Sequence, residues 1–476
     1  MNDLLWLFVT PLIASLIVLA LPFKGALLQR ISVLLSLIPL VILVCNQQHW
    51  LGSTVNLPWL PPLSIEFFLF VDNLSLVFLY LTAVIIPISI MAIDQSSKGF
   101  FALVLLLQGL LIGFFTARDL ALFTIFWEAM LLPLYFIINV WGGADRQQAA
   151  YKFLIYMIAG SALMVAAVLA LYFVSEGTFD LDVLAHFASS AKYAPWIFAV
   201  FLLAFAVKTP LFPFHGWLPD TYYYAPTAGT ILLSALLSKA GIYGVVRIGV
   251  GLFPNLMQEW SLVLIGLAVT GVFYGALAAW RQMDYKRLIA YSSFSHVNFI
   301  LVGLFVWSET AQTGAVLQAL NHGVTITALF LASGWLQKRL GSTAIGEVGG
   351  MAKFVPHLCW LTLIFVLSSV ALPGTNSFVG ELLILFGLFG VHPWVAAFLA
   401  LSVILSVVYM LRWMQKVYFQ EPGFYQPAWV DLTPREFAIA VPLVALILWI
   451  GIYPGPVLQQ INPEITQTLA VTESAP

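Results

Sequence analysis

Long apolar runs recur along the whole chain, separated by short polar stretches. A helix that crosses a bilayer needs about 20 mainly apolar residues, and candidate runs fall at roughly 4–22, 31–45, 67–92, 100–115, 119–140, 152–173, 195–213, 226–250, 258–280, 287–307, 312–336, 356–390, 393–417 and 438–456. Backbone groups in lipid must be bonded within their own segment, and the runs lack the short alternation of a barrel. The pattern therefore predicts an all-α, multi-pass membrane protein with about 14 transmembrane helices.

Composition supports lipid as the solvent. Of the 476 residues 62% are hydrophobic and 8% are charged, against about 25% charged in an average soluble domain. The net charge of −2 indicates no basic face for nucleic acid. Cys45 and Cys359 lie in apolar runs, which indicates neither a disulfide framework nor a metal site. The apolar N-terminus is expected to be a retained first helix rather than a cleaved signal.

The basic residues of the loops predict an orientation. With both termini outside, fourteen of the 19 lysines and arginines fall in inner loops. Arg118, Lys192 and Arg247 fall outside, and the other two basic residues lie within spans. Cytoplasmic loops carry an excess of lysine and arginine, so we expect both termini on the outer, periplasmic side of a bacterial inner membrane. The polar tail after 457 is expected to form no further long helix.

Two spans carry proline where a helix should continue. The seventh contains Lys208-Thr-Pro-Leu-Phe-Pro213 and the twelfth contains Leu372-Pro-Gly-Thr-Asn-Ser377. Proline removes a backbone donor and clashes with the preceding turn. Broken helices at matched positions are typical of transporters with inverted repeats, although proline also kinks ordinary packed helices. The predicted organisation is a three-helix segment at 1–99, two inverted five-helix repeats at 100–250 and 258–417, and a last helix with a short polar tail at 418–476.

Three ionisable residues lie inside spans of the first predicted repeat. A charge at mid-bilayer costs at least about 2.5–3.5 kcal/mol, which makes each of them a functional candidate. Glu128 in the fifth span and Lys208 at the seventh-span break should pair in a dry interior, either as a proton-binding pair or as a static salt bridge. Lys239 lies in the middle of the eighth span, where burial disfavours its charged form. It could hold and release a proton, or be a hydrogen-bonded structural lysine.

Three more ionisable residues lie in the second predicted repeat. His296 follows the polar stretch Tyr291-Ser-Ser-Phe-Ser295, and His322 lies in the eleventh span. Either histidine could be a packed polar residue instead of a proton carrier, and no Cys, Asp or Glu joins them at metal-ligand spacing. Glu381 follows the twelfth-span break and could take the first or last proton of a path. Asp72, at the head of the third span, fits a helix N-cap.

Several motifs around these residues resemble a known family. They are similar to the proton-conducting antiporter-like subunits of respiratory complex I, a superfamily that includes Mrp-type cation/proton antiporter subunits and membrane-bound hydrogenase subunits. The resemblance covers about 100–420 and rests on Trp127-Glu128, Lys208-Thr-Pro-Leu-Phe-Pro-Phe-His-Gly-Trp-Leu-Pro-Asp220, Ala225-Pro-Thr227, Leu237-Ser-Lys-Ala-Gly241, Asp284-Tyr-Lys-Arg-Leu-Ile-Ala-Tyr-Ser292, Ser295-His296 and Asn321-His-Gly323. Pro373-Gly-Thr-Asn-Ser-Phe-Val-Gly-Glu381 resembles the subunit M group of NADH-quinone oxidoreductase, because the L and N groups and Mrp members typically carry lysine in place of this glutamate. Asn73 departs from the glycine that the family often has there.

The resemblance implies a function and partners. It implies a proton-translocating subunit of the NADH-quinone oxidoreductase translocase, in which a path through Glu128, Lys208, Lys239, His296, His322 and Glu381 couples quinone reduction to proton pumping. It also implies that NADH, FMN, iron–sulfur clusters and quinone belong to partner subunits, with L- and N-type subunits as membrane neighbours. The alternatives are an Mrp-type subunit that exchanges sodium for protons and a membrane subunit of a hydrogenase complex.

Overall fold

The computed structural model describes residues 3–46, 49–93, 97–175, 177–188, 192–346, 349–421 and 429–473. We number the spans 1 to 14 in chain order. Twelve of them are helices long and apolar enough to cross a membrane: Asp3–Ala20, Gly25–Cys45, Asn73–Met91, Lys98–Thr116, Leu120–Trp141, Arg146–Val174, Thr227–Val250, Pro254–Arg281, Tyr285–Phe305, Glu309–Leu340, Pro393–Phe419 and Pro434–Ile452. Spans 7 and 12 are each built from two shorter helices. The predicted all-α, multi-pass fold is confirmed.

Both broken spans are interrupted at the proline-containing segments that the sequence predicted. Span 7 runs over Ala194–Lys208 and resumes at Leu218–Tyr224. Span 12 runs over Pro356–Ser369 and resumes at Asn376–Val391. In the second gap Gly374 has a φ of 92°, a left-handed conformation that side chains disfavour.

Several spans depart locally from a regular α-helix. Span 8 contains two π-helical stretches, which are rare and often mark functional sites. The component helices and the short elements between spans are Leu120–Ala129 and Leu131–Trp141 in span 5, Leu181–Phe187 after span 6, Thr227–Leu232, Leu233–Leu237 (π), Ser238–Gly244 and Val245–Val250 (π) in span 8, Pro254–Glu259 and Ser261–Arg281 in span 9, Met351–Lys353 (3₁₀) before span 12, and Pro393–Met414 and Gln415–Phe419 (π) in span 13.

A β-hairpin precedes span 3, and it corrects the helix predicted from residue 67. Strand β1 (Thr54–Leu60) pairs antiparallel with strand β2 (Ile65–Phe70) across the 3₁₀ turn Pro61–Leu63. Pairing with β1 satisfies the backbone of these residues, so they need no helix. The helix begins only after Asp72, whose side chain accepts a hydrogen bond from the Ser75 N–H while Ser75 bonds back to the Asp72 backbone. The predicted N-cap is confirmed.

A helix over Gly455–Glu473 follows span 14, so the prediction that the tail forms no further long helix was wrong. Ile461 and Ile465 lie four residues apart and are both buried. Gln460 Nε2 donates to Asn73 Oδ1 at 2.6 Å. The segment is too polar to span lipid, but two isoleucines on one helix face suffice to pack it against protein.

The chain divides into two compact units. Unit 1 comprises Met1–Pro210, Tyr224–Ser261 and Gln460–Pro476, and unit 2 comprises Leu211–Tyr223 and Leu262–Gln459. Unit 1 contains Glu128, Lys208 and Lys239, and unit 2 contains His296, His322 and Glu381. The predicted bounds of the repeats and their inverted relation remain predictions.

Candidate functional site

Lys208, the last residue of the first half of span 7, is buried against Trp127. Its Nζ donates to the Trp127 carbonyl at 2.9 Å and lies 3.5 Å from the centroid of the Trp127 ring. The negative face of an indole ring attracts a cation. The carbonyl and the ring thus replace part of the water that an ammonium loses inside a membrane.

Glu128 follows Trp127 in the chain and is half-buried. Its charge acts on Lys208. The two side chains nevertheless form no salt bridge, and Glu128 Oε1 is buried without a hydrogen-bond partner among the described residues. The sequence predicted a direct contact between Glu128 and Lys208. In the structure the Trp127 carbonyl and ring bind the Lys208 ammonium, and Glu128 acts on it only through its charge. The electrostatic influence of Glu128 can change without breaking a hydrogen bond to Lys208.

Lys239 lies fully buried between the two π-helical stretches of span 8. Its Nζ donates to the Ser234 carbonyl at 2.7 Å and to Ser238 Oγ at 3.3 Å. Ser234 lies five residues earlier, inside the stretch Leu233–Leu237. The widened turn brings a backbone carbonyl to the ammonium, which the apolar pattern of this span did not predict.

An ion cluster that the sequence did not predict lies at the end of span 8. Arg247 Nη2 contacts Asp72 Oδ2 at 2.5 Å, and Arg118 Nη1 lies 3.4 Å from the same oxygen. Arg118 also binds the exposed Asp182 at 2.8 Å. Burial raises the pKa of Asp72, but Arg247, the Ser75 N–H and Arg118 outweigh it and leave this pKa below its ordinary value. Arg247 lies inside an apolar run, which indicates a buried ion pair, but the prediction of orientation counted it among the outer basic residues.

The three candidates of unit 2 lie together. His296 Nδ1 is 3.2 Å from Glu381 Oε1. Gln318 Nε2 donates to the same oxygen at 3.1 Å. The rings of His296 and His322 have centroids 6.0 Å apart. Gln318 was not among the residues predicted from the sequence, although a glutamine inside an apolar run indicates a buried polar contact.

Hydrogen bonds hold the break of span 12 in place. Asn376 Oδ1 accepts from Ser368 Oγ at 2.7 Å and from Thr325 Oγ1 at 3.3 Å. Asn321 Nδ2 donates to the Asn376 carbonyl at 2.8 Å, and Asn376 Nδ2 donates to the Asn321 carbonyl at 3.1 Å. These bonds tie the start of the second half of span 12 to span 11 and to the end of its own first half. They fix the start of the helix that carries Glu381.

The cluster of unit 1 comprises Glu128, Lys208 and Lys239, and the cluster of unit 2 comprises His296, His322 and Glu381. Their carboxylate, amine and imidazole groups can each bind and release a proton. Within the described ranges no group of three or more His, Cys, Asp and Glu side chains could hold a metal ion. Groups of this kind can support proton transfer between buried sites.

Comparison with known proteins gives the family. The family model described as NADH:quinone oxidoreductase/Mrp antiporter, TM matches residues 117–408. NADH-quinone oxidoreductase subunit M of Rhodobacter capsulatus is 37% identical over 412 residues, which are 83% of this chain and 80% of that relative. A chain of respiratory complex I from Thermus thermophilus, solved with bound NADH, is 31% identical with a TM-score of 0.92 and covers 98% of this chain and 99% of its own.

A chain of the Mrp complex from Dietzia sp. DQ12-45-1b covers 99% of this chain and 98% of its own, with 21% identity and a TM-score of 0.88. That similarity concerns the fold alone. The family model covers more than half of the chain, and relatives above 30% identity cover most of it. The chain therefore belongs to the NADH:quinone oxidoreductase/Mrp antiporter family of membrane proteins.

Proposed function

We propose that this chain is a proton-translocating membrane subunit, of the subunit M type, of an NADH-quinone oxidoreductase. The observation that carries the proposal is the burial of Lys208, Lys239 and Glu381 with polar partners inside membrane spans. Buried ionisable groups are costly in a membrane and mark proton or ion paths. The subunit M relative supports the assignment to this enzyme. The chain conducts protons, and the redox chemistry occurs in its partners.

The mechanism in unit 1 is electrostatic. The Trp127 carbonyl, the Trp127 ring and the charge of Glu128 stabilise the Lys208 ammonium. Burial disfavours an ammonium, and a nearby carboxylate favours it. When Glu128 is neutralised or moves away, Lys208 loses that support and releases its proton. Lys239 is the second amine of this unit that takes up and releases a proton.

The mechanism in unit 2 is a short-range transfer. His296 Nδ1 and Glu381 Oε1 are 3.2 Å apart, so a proton moves between nitrogen and oxygen without changing the total charge of the pair. The hydrogen bond from Gln318 stabilises the carboxylate when the proton is on the imidazole. His322 is the next group that can accept the proton.

The same proposal assigns the partner subunits of the chain, its membrane and its orientation. NADH, FMN, iron–sulfur clusters and quinone are bound by partner subunits, and L- and N-type antiporter-like subunits are the membrane neighbours. The chain lies in a bacterial inner membrane with both termini on the periplasmic side. The family resemblance supports the partners, and the excess of basic residues in alternate loops supports the orientation. Purification of the chain with its partners tests this assignment: flavin, iron–sulfur subunits and NADH oxidation should accompany it.

Substitution in the assembled complex tests the proton path. Glu128→Gln and Lys208→Ala should each reduce proton pumping and the coupled oxidation of NADH several-fold, because each removes a charge from the cluster of unit 1. The matched control is Glu309→Gln, which changes an exposed carboxylate at the start of span 11 and should leave both rates unchanged. Full pumping by both path variants would overturn the proposal.

The second candidate is an Mrp-type antiporter, because the matching family model is described as covering Mrp antiporters as well as NADH:quinone oxidoreductase. It predicts that the purified chain in liposomes exchanges sodium for protons without a redox substrate. For the proposed subunit we expect no such exchange, and its pumping should require NADH and quinone.

A further inference from the structure

Tyr409 in span 13 and Ser292 in span 10 form a buried pair of hydroxyl groups that the path above does not use. Tyr409 OH and Ser292 Oγ are 2.9 Å apart, and either can be the donor. Both side chains are 1% exposed. A hydroxyl group donates and accepts at once, so the pair can pass a proton from one oxygen to the other.

The pair lies beside the cluster of unit 2. Tyr409 is within electrostatic range of Glu381, and span 13 packs against the second half of span 12, which carries that glutamate. Ser292 lies four residues before His296, so the two share a face of span 10. Span 13 thus packs against the helix that carries Glu381, and span 10 carries the histidine partner of Glu381.

The Glu381 carboxylate has one oxygen open to a further donor. His296 and Gln318 both contact Oε1. Within the part of the chain that the structure describes, no hydrogen bond to Oε2 is formed. A proton can therefore reach this oxygen without displacing either neighbour.

The hydroxyl pair lies toward the end of unit 2 at which span 10 begins and span 13 ends. Ser292 is eight residues beyond the N-cap Asp284, about 12 Å along a helix. Just beyond Tyr409, Arg412 donates to the Trp280 carbonyl at the end of span 9 at 3.2 Å. In the proposed orientation this end faces the inner aqueous phase.

We propose that Ser292 and Tyr409 deliver protons to Glu381 from this end of unit 2. The inference rests on the proposed function. No hydrogen bond joins Tyr409 to Glu381 among the described residues, so a water molecule between them takes the Tyr409 proton and gives one of its own to the Glu381 carboxylate, while the tyrosine oxygen takes the Ser292 proton. Ser292 then regains a proton from the aqueous phase. Both hydroxyls end neutral, and one proton has moved from that phase to the carboxylate.

Tyr409→Phe in the assembled complex tests the inference, because phenylalanine keeps the ring and removes only the hydroxyl. Coupled NADH oxidation should fall several-fold. The ratio of the rates in H₂O and D₂O should rise, since proton delivery becomes rate-limiting. Ser292→Ala should have the same two effects, and Ser292→Thr, which keeps a hydroxyl, should restore both values.

The matched control is Tyr418→Phe. Tyr418 is buried near the end of the same span, and its hydroxyl lies 2.9 Å from Thr362 Oγ1. Cys359, Arg339, Asp431 and Tyr285 are within its electrostatic range, and Glu381 is not among them. Tyr418→Phe should leave turnover and the isotope ratio unchanged.

Wild-type turnover and isotope ratio in Tyr409→Phe and Ser292→Ala, with pumping blocked by Glu381→Gln, would overturn this inference alone. Normal pumping by Glu381→Gln and Lys208→Ala would overturn the proposed function itself. If Tyr409→Phe does not assemble, the comparison of Ser292→Ala with Ser292→Thr decides, and equal rates for these two contradict the inference.

Discussion

Replacing Asp72 with asparagine removes the negative charge of the ion cluster at the start of span 3. Asp72 Oδ2 lies 2.5 Å from Arg247 Nη2 and 3.4 Å from Arg118 Nη1, while Oδ1 accepts from the Ser75 N–H at 2.9 Å. Asparagine keeps the size of the side chain and an oxygen for the Ser75 N–H, so the helix cap persists. The two arginines lose the buried carboxylate that they share.

The expected loss of stability is about 3 kcal/mol. Two unit charges 4 Å apart interact with about 4 kcal/mol at an effective dielectric constant of 20, and removing one partner of a buried pair costs about 3–5 kcal/mol. Arg247 and Arg118 are 9% and 19% exposed as side chains, which favours the lower end of that range. Asp182→Asn is the matched control: its side chain is 59% exposed, and exposed ion pairs contribute under about 1 kcal/mol.

The pH dependence of this loss has a definite sign. Burial raises the pKa of Asp72, but Arg247, the Ser75 N–H and Arg118 together hold it below 3.8. A carboxyl group with a lowered pKa in the folded state stabilises that state at pH values above its unfolded pKa, and the contribution disappears as pH falls through the folded pKa. The deficit of Asp72→Asn should therefore be constant between about pH 8 and 5, and shrink only below about pH 4.

The assay is the midpoint of thermal unfolding of the complex in detergent, at one fixed heating rate, at pH 7 and pH 5. Asp72→Asn should lower the midpoint clearly more than Asp182→Asn at both pH values. Equal shifts for the two variants would refute the assignment of the energy to the buried pair. A deficit much smaller at pH 5 than at pH 7 would refute the lowered pKa.

Two further predictions concern the broken spans. Gly241→Ala should reduce quinone-dependent NADH oxidation in membranes several-fold, because a Cβ there would overlap Thr209 Oγ1 and lie 3.0 Å from the Thr209 N at the break of span 7. Gly266→Ala, with nothing within 4 Å of the new Cβ, should leave that rate unchanged. Equal rates for the two variants would contradict this expectation. Asn376→Ala should lower the thermal midpoint of the complex, because it removes the acceptor of the Ser368 and Thr325 hydroxyl groups and the donor to the Asn321 carbonyl, and each such buried hydrogen bond contributes about 0.5–1.5 kcal/mol. An unchanged midpoint would show that the break is held by other contacts.

Local features of the fold followed from local sequence. The prolines of spans 7 and 12 predicted both breaks, because a missing backbone donor acts on its own turn. Asp72 predicted the cap of span 3 for the same reason. The hairpin and the final helix were missed because their stability comes from elsewhere: β2 is bonded to β1, and the final helix is packed through Ile461 and Ile465.

The residues of the candidate site could be predicted from the sequence, but their contacts could not. Six ionisable residues could be selected because a charge in an apolar run is costly wherever the run packs. The residues that these groups contact could not be predicted: Lys208 was expected to bind Glu128 and binds Trp127 instead. Gln318 and Tyr409 carry no charge, so the cost of burying a charge does not select them; packing places Gln318 in hydrogen-bond contact with Glu381 and Tyr409 within its electrostatic range.

The amino-acid sequence alone indicates that the chain spans a membrane many times, where its helices break, and which ionisable groups must be buried. These properties depend on transfer from water to lipid and on the backbone geometry of single residues. Which groups meet, such as His296 with Glu381 and Arg247 with Asp72, depends on the packing of the helices. Contacts between residues far apart in the chain depend on how helices pack, and hydrogen bonds and ion pairs act only over a few ångströms.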